Sequence, residues 1–418
     1  MKQIIIEGGN KLTGNVSISG MKNGAVALLP AAMLCDEQTS IFNVPNISDR
    51  EALIDIIKLL NATVIENEDT IEIDSSNIKS IEIPEYLCSK LRASYYFMGA
   101  LLGRLKHVEI CFPGGCNIGN RKIDFHLKGF QMLGATITEV KDKYIIHAEH
   151  LKGESIYLDF ASVGATINIM LAATKAEGTT YIHNAAKEPD VTNVATFLNN
   201  MGAKISGAGT STIKIEGVSY LHKAMIEVIP DRIEAGTYIM IGALLGEKFK
   251  VENLIREHVD ALLSKLIDAG VEMKITENSV EIIKQHSLKA INVKTLVYPG
   301  FVTDWGQPMC TVLTQCAGTS IFEETIYENR MGEIPYLNNM GANIESNGQT
   351  AYINGPTKLV GKDVIASDLR AGASLVIAGL LAEGTTRIND AEHILRGYEK
   401  IVEKLTSLGA NIKIIDIK

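Results

Sequence analysis

One short phrase recurs through this chain and limits what it can fold into. It reads Gln131-Met132-Leu133-Gly134-Ala135-Thr136-Ile137, then Asn199-Asn200-Met201-Gly202-Ala203-Lys204-Ile205 and Asp268-Ala269-Gly270-Val271. It returns as Asn338-Asn339-Met340-Gly341-Ala342-Asn343-Ile344 and Thr406-Ser407-Leu408-Gly409-Ala410-Asn411-Ile412. The glycines at 134, 202, 270, 341 and 409 are separated by 68, 68, 71 and 68 residues. A degenerate first copy, Leu59-Leu60-Asn61-Ala62-Thr63-Val64, carries Asn61, 73 residues before Gly134. Each phrase reads as a helix end followed by a strand. Gly, or Asn as second choice, takes the left-handed position past the last turn, and β-branched residues then extend the backbone. The chain therefore holds six copies of one unit of roughly 70 residues, longer than a solenoid repeat, so each copy is a small α/β subdomain.

A second set of echoes lies upstream of these phrases. Leu91–Ala100, Ser162–Met170, Arg232–Met240 and Leu369–Val376 each begin with small or polar residues and continue apolar on all sides. That pattern predicts buried helices, whose starts are natural anion sites. Strands such as Thr179–His183 and Thr385–Ile388 follow, then amphipathic helices such as Val259–Ala269 and Tyr398–Leu408. The unit reads β-α-β-α-β-β, and six units make two domains of three. The crossing near Ile229-Pro230-Asp231 divides the chain into a first domain over 21–229 and a second over 1–20 plus 230–418. The early strands Gln3–Gly8 and Asn15–Ser19 are expected to complete the last unit.

The totals narrow the function. At 418 residues the chain exceeds one ordinary core. A formal charge of −9 with no basic block excludes nucleic acid or anionic membrane as a main partner. The six cysteines form no CxxC pair, which fits a reducing compartment, and the start breaks into charge after three isoleucines, too soon for a secretory leader. The expectation is a soluble cytoplasmic protein. No apolar stripe calls for a partner, so a monomer is expected, and no histidine pair has metal-ligand spacing, so no metal is assigned.

Chemistry-bearing residues cluster in a few phrases. Pro113-Gly114-Gly115-Cys116-Asn117-Ile118-Gly119-Asn120-Arg121 sets one thiol in a glycine-rich turn with a guanidinium five residues on. It reads either as a plain turn or as a loop whose N–H groups and arginine hold an anion beside a tunable thiol. Lys22 lies at the start of a buried-looking helix, solvated or turned to a ligand. Arg92, Arg370 and Arg396 lie near helix starts or in polar loops, as surface ion pairs or as anion grips. Asp304 in Thr303-Asp304-Trp305 reads as an N-cap or as a general base facing a cleft. Asp368, Asp231 and Glu328 are further acids, and His126, His183 and His393 carry no clear assignment.

Taken together, Ser19-Gly20-Met21-Lys22-Asn23, Pro113–Arg121, Asp231–Thr237, Thr303-Asp304, Glu328-Asn329-Arg330, Ser367–Ala371 and Arg396-Gly397-Tyr398-Glu399 resemble the UDP-N-acetylglucosamine 1-carboxyvinyltransferases of the EPSP synthase family. The resemblance runs in order through the whole chain. It implies an inside-out α/β barrel of two domains, each with three β-α-β-α-β-β units, and an active site in the cleft between them. It implies enolpyruvyl transfer from phosphoenolpyruvate to the 3′-hydroxyl of UDP-N-acetylglucosamine, without a cofactor. By position, Cys116 is implied as the acid and Asp304 as the base, with Lys22, Arg121 and Arg396 on phosphoenolpyruvate. Asn23, Arg92, Arg121, Lys122, Ile123, Asp124, Phe125, the turn 160–163 with Ser162 and Val163, Asp304 and Ile326 would hold the sugar nucleotide. Asp368 and Arg370 would orient these groups. The sister enzymes acting on shikimate 3-phosphate lack the cysteine loop, which separates the two readings. The chain departs from the family pattern at Met21, at Val302, over Trp305-Gly306-Gln307-Pro308 and over Met331-Gly332-Glu333.

Overall fold

The computed structural model describes residues 2–114, 123–284 and 287–417, and the chain divides into two compact units. One comprises 20–114 with 123–229, the other 2–19 with 230–417. Each contains three small sheets with helices packed behind them.

The predicted chain reversals are present at every copy. Gly134, Gly202, Gly270, Gly341 and Gly409 have φ between 98° and 108°, and Asn61, the degenerate copy, has φ 69°. Backbone strain at these turns is testable because their surroundings differ. A Cβ at Gly270 would meet nothing within 4 Å, whereas one at Gly341 would lie 2.8 Å from the Lys358 carbonyl oxygen. Gly270→Ala is expected to cost about 1 kcal/mol from the left-handed backbone alone. Gly341→Ala is expected to cost roughly 2–3 kcal/mol, because steric overlap adds to strain. Thermal denaturation of both variants checks this, and equal losses would count against the contact.

In the unit built on 20–229, the buried helices are Lys22–Ala31, Tyr96–Leu105 and Val163–Ala173. In the other they are Arg232–Leu245, Gly306–Leu313 and Leu369–Leu381, which all touch one another. Every residue from Gly164 to Ala173 is buried, as an all-round apolar sequence requires. The Tyr96–Leu105 and Val163–Ala173 helices meet backbone to backbone: a Cβ at Gly99 would stand 2.3 Å from the Asn168 carbonyl oxygen. The sheets lie outside these helices and alternate inward apolar with outward polar residues, as in Thr179–His183, where Thr180 and Ile182 point inward.

The typical sheet has a hairpin, a middle strand and a parallel edge strand, as in the order Lys204–Ser206, Thr212–Glu216, Thr179–His183, Ser155–Tyr157. The N-terminal strand Lys2–Glu7 lies between Thr385–Asn389 and Asn411–Asp416 and supplies the last strand of the sixth copy. The second strand, Leu12–Ser17, does not join that sheet. It runs parallel to Gly246–Glu252 in the fourth copy, while Ala224–Glu227 runs parallel to Gln38–Phe42 in the first. Each unit thus takes its closing edge strand from the segment that precedes the other unit's first buried helix, a long-range pairing that local pattern cannot reveal. Among described residues the sheet over 107–147 has three strands, extended by a single parallel bridge between Ile83 and Ile110. No helix among the described residues is long and apolar enough to cross a membrane.

Candidate active site

The unit containing 230–417 holds a charged cluster around Asp304. This residue sits in the short helical turn Thr303–Trp305 that leads into the Gly306–Leu313 helix. Its carboxylate does not cap that helix. Arg370 donates to Oδ2 through Nη2 at 2.8 Å and Nε at 3.2 Å, and Arg330 donates to Oδ1 through Nη2. The side chains of Arg330 and Arg370 are 6% and 4% exposed, while that of Asp304 keeps 21% of its surface. The guanidiniums therefore lie behind a carboxylate that is still open to solvent. Burial alone would raise the Asp304 pKa, but Arg330 and Arg370 outweigh it and hold the group well below the usual carboxylate range. The site keeps a fixed negative charge on Asp304.

Neighbouring groups hold the fork in place. Arg330 also donates to Thr303 Oγ1 at 3.1 Å, and Thr303 donates to Glu324 Oε2 at 2.7 Å. The other Glu324 oxygen accepts from the backbone N–H of Ile326 at 2.8 Å and Tyr327 at 3.2 Å, so this buried carboxylate sets the turn that presents Ile326. Arg330 stacks on the Tyr327 ring and Arg370 on the Tyr398 ring, with guanidinium carbons 5.3 and 5.5 Å from the centroids. Asp368 caps the Leu369–Leu381 helix, Oδ1 accepting from the N–H groups of Arg370 and Ala371 at 2.8 and 3.1 Å. Gln307 Nε2 donates to Asp368 Oδ2 at 3.3 Å and to Glu333 Oε2 at 3.0 Å. Gln307 and Glu333, from the segments Trp305-Gly306-Gln307-Pro308 and Met331-Gly332-Glu333, thus touch each other. Trp305, in the first of these segments, is buried, and a Cβ at Gly236 would stand 2.3 Å from its indole nitrogen. Arg396 follows the short helix Glu392–Leu395 and is half-buried.

The other unit carries a second group of expected residues. Lys22 and Asn23 open the Lys22–Ala31 helix, and Lys22 Nζ lies 2.9 Å from Oδ2 of the buried Asp49. Arg92 lies in the turn Arg92–Tyr95, its guanidinium 5.8 Å from the Tyr95 ring centroid. Tyr95 meets the His126 ring edge-on at 4.8 Å. His126 belongs to the helix Asp124–Met132, which follows Ile123 and begins with Asp124 and Phe125. Its Nδ1 pairs with Asn168 Nδ2 at 2.8 Å, and Asn168 Oδ1 accepts from the Gly99 N–H at 2.8 Å. Burial, with Arg92 adding to it, lowers the His126 pKa to about 3, so the ring is neutral and Nδ1 accepts from the amide. A Cβ at Gly164 would lie 2.8 Å from Tyr95 Oη and 2.9 Å from His126 Cε1, which places this cluster beneath the turn of Ser162 and Val163. Ser162 Oγ caps the helix that follows, accepting from the Ala165 N–H at 3.3 Å. The expected residues Cys116, Arg121 and Lys122 lie outside the described residues.

Sequence reading gave no role to Arg330, Gln307, Glu333, Asp49 or His126. Arg330 stood inside the Glu328-Asn329-Arg330 phrase, which is a signal for it. The others become visible only when distant segments are brought together.

The buried titrating groups predict opposite acid responses in the two units. Glu333 and Glu234 are both pushed up to about 7 by burial, Glu234 against the pull of Lys404, which donates to its Oε1 at 2.7 Å. Their folded pKa values exceed the unfolded ones, so folding takes up protons between about 4.3 and 7 and stability rises as pH falls through that window. His126 has the reverse sign: its folded value lies below the unfolded one, so its contribution is present above about 6.5 and is lost on acidification. Asp304 is also depressed, but it acts only below about pH 4. Each group contributes up to ~1.4 kcal/mol per pH unit within its window. Hydrogen exchange at pH 7.5 and 5, corrected for intrinsic rates, is expected to show protection rising in the Arg232–Leu245 helix, which carries Glu234, and falling in 123–200. Changes of one sign in both units would contradict the assignment.

Comparison with known proteins places this arrangement. The EPSP synthase (3-phosphoshikimate 1-carboxyvinyltransferase) family matches residues 6–405. The chain is 49% identical over 410 residues to UDP-N-acetylglucosamine 1-carboxyvinyltransferase 2 of Listeria monocytogenes, covering 98% of this chain and 97% of that one. It is 49% identical over 418 residues to UDP-N-acetylglucosamine 1-carboxyvinyltransferase 1 of Streptococcus agalactiae, covering all of both chains. The crystal structure of the enolpyruvyl transferase NikO from Streptomyces tendae superimposes with a TM-score of 0.90 at 26% identity, over 100% of this chain and 99% of that one. That likeness extends the two-unit, three-sheet plan described above to the inside-out α/β barrel. The chain belongs to the EPSP synthase family, on its UDP-N-acetylglucosamine 1-carboxyvinyltransferase branch.

Proposed function

We propose that this chain transfers the enolpyruvyl group of phosphoenolpyruvate to the 3′-hydroxyl of UDP-N-acetylglucosamine, releasing phosphate, as the first committed step of peptidoglycan synthesis. The observation that carries this reading is the 49% identity, over essentially the full length of both chains, to transferases of that name. The chemistry needs an acid for the vinyl carbon, a base for the hydroxyl proton, and cations for the phosphate and carboxylate.

In this reading Cys116 protonates C3 of phosphoenolpyruvate, and positive charge develops at C2. The 3′-oxygen forms its bond to C2 and loses its proton to Asp304. A base in the doubly gripped environment of Asp304 is weak, so the transfer accompanies C–O bond formation, when the attacking oxygen becomes strongly acidic. Loss of a C3 proton and of phosphate then restores the double bond. Lys22, Arg121 and Arg396 hold phosphoenolpyruvate as charge shifts to the leaving phosphate. Asn23, Arg92, Arg121, Lys122, Ile123, Asp124, Phe125, Ser162, Val163, Asp304 and Ile326 receive the sugar nucleotide. Asp368 and Arg370 orient Asp304. The protein works as a cytoplasmic monomer without metal or cofactor.

Mass spectrometry of the product tests the hydroxyl assignment. UDP-N-acetylglucosamine is expected to gain one enolpyruvyl unit, and its 3′-deoxy analogue none. Equal modification of the analogue would overturn the assignment.

A further inference from the structure

Gln307 and Glu333 form a buried bridge to Asp368. Gln307 and Glu333 are fully buried and Asp368 is 8% exposed. The bridge uses both protons of one amide: Gln307 Nε2 donates to Glu333 Oε2 and to Asp368 Oδ2. Asp368 spends its other oxygen on the N–H groups of Arg370 and Ala371. Arg370 in turn grips Asp304. A continuous line of hydrogen bonds therefore runs from Glu333 to the carboxylate assigned as the base.

The far end of this line is not saturated. Among the described residues, Glu333 Oε1 and Gln307 Oε1 have no hydrogen-bond partner although both are buried. A proton can therefore settle on Glu333 without breaking the bond to Gln307, but the acceptor it leaves for the amide is neutral and weaker. The charged and titratable groups around it are few. Cys310 faces it from the Gly306–Leu313 helix and Asp368 from the start of the Leu369–Leu381 helix. Glu324 acts on Cys310 from the strand side, and Arg330, three residues before Glu333, is committed to Asp304. No cation is paired with Glu333 among the described residues: burial raises its pKa and Asp368 adds to this, against hydrogen bonding from the backbone, Gln307 and the Cys310 thiol.

We propose that Glu333 is a positioning residue for the transfer reaction: its charge fixes Gln307, Gln307 fixes Asp368, and Asp368 holds Arg370 and Asp304 in the reactive geometry. The proposal rests on the role given to Asp304 under the proposed function. Ionised Glu333 is the effective form, so acidification loosens the line and slows turnover.

The variants are Glu333→Gln, which keeps shape but cannot ionise, and Gln307→Leu, which breaks the bridge. Both are expected to lower kcat about tenfold to a hundredfold with little change in KM, the range for a small displacement of reacting groups. In the native protein kcat is expected to fall as pH drops through the neutral region, and in Glu333→Gln that fall disappears. A readout independent of turnover is amide exchange at Arg370 and Ala371, corrected for intrinsic rates. Protection there is expected to fall on acidification in the native protein and to be low at both pH values in Glu333→Gln. A Glu333→Gln protein with native kcat, native pH profile and native exchange overturns the proposal. If the native protein transfers no enolpyruvyl group, exchange still decides whether Glu333 controls the Arg370 segment, so the two failures are separable.

Discussion

Asp304→Asn is expected to lower kcat by about 10³-fold, within the range for removal of a general base. It is also expected to cost about 3 kcal/mol of stability, because it leaves charge unpaired in a buried network. The substitution keeps size and shape, so the loss comes from charge. Arg330 and Arg370 would face a neutral amide whose NH₂ points a donor at a donor, and neither guanidinium can lose its proton to relieve the strain. Initial rates give the first figure and denaturant unfolding of the 230–417 unit the second. Because Asp304 also contacts the sugar nucleotide in this account, KM for that substrate is expected to rise. A variant with nearly native kcat would remove Asp304 from the reaction.

Cys116→Ala is expected to reduce turnover by about 10²- to 10⁴-fold, the contribution of a positioned proton donor. Cys116→Asp distinguishes what the thiol does. An aspartic acid can donate a proton but cannot form a thioether, so retained activity identifies proton donation as the whole role. Complete loss would mean that the sulfur does something further. The same variant is expected to be insensitive to fosfomycin, whose covalent capture requires the thiolate. Intact-protein mass after incubation with the drug reads this directly: one adduct on the native chain and none on Cys116→Asp.

Much of the architecture was legible in the sequence because it repeats. A residue that must reverse a chain after a helix has few alternatives, so the spaced glycines and Asn61 marked six turns with positive φ. Helices apolar on all sides could only be central, and the Val163–Ala173 helix is buried from Gly164 onward. What the pattern could not supply was which sheet a strand closes. Leu12–Ser17 turns Leu12 and Val16 inward, yet it pairs with Gly246–Glu252 more than 200 residues away. Hydrophobic period sets which face turns inward, not the partner.

The site was legible in a similar, partial way. Asp304 and Arg370 were visible as charged residues at the starts of apolar helices, and they meet in one ion pair. Arg330 was visible only as part of a phrase. Gln307 and Glu333 lay in two segments that looked unrelated, because a hydrogen bond between residues 26 positions apart leaves no local trace. His126 stood in surroundings with no assignment, and only its close approach to Gly164 shows that it lies beside the Ser162 turn.

The central claim is that this chain passes the enolpyruvyl group to a sugar nucleotide rather than to shikimate 3-phosphate, the acceptor of the sister enzymes. The most direct measurement is phosphate release from phosphoenolpyruvate with each acceptor in turn, with and without fosfomycin. Release with UDP-N-acetylglucosamine alone, abolished by the drug, is the predicted result. Release with shikimate 3-phosphate, or with neither acceptor, would contradict the account.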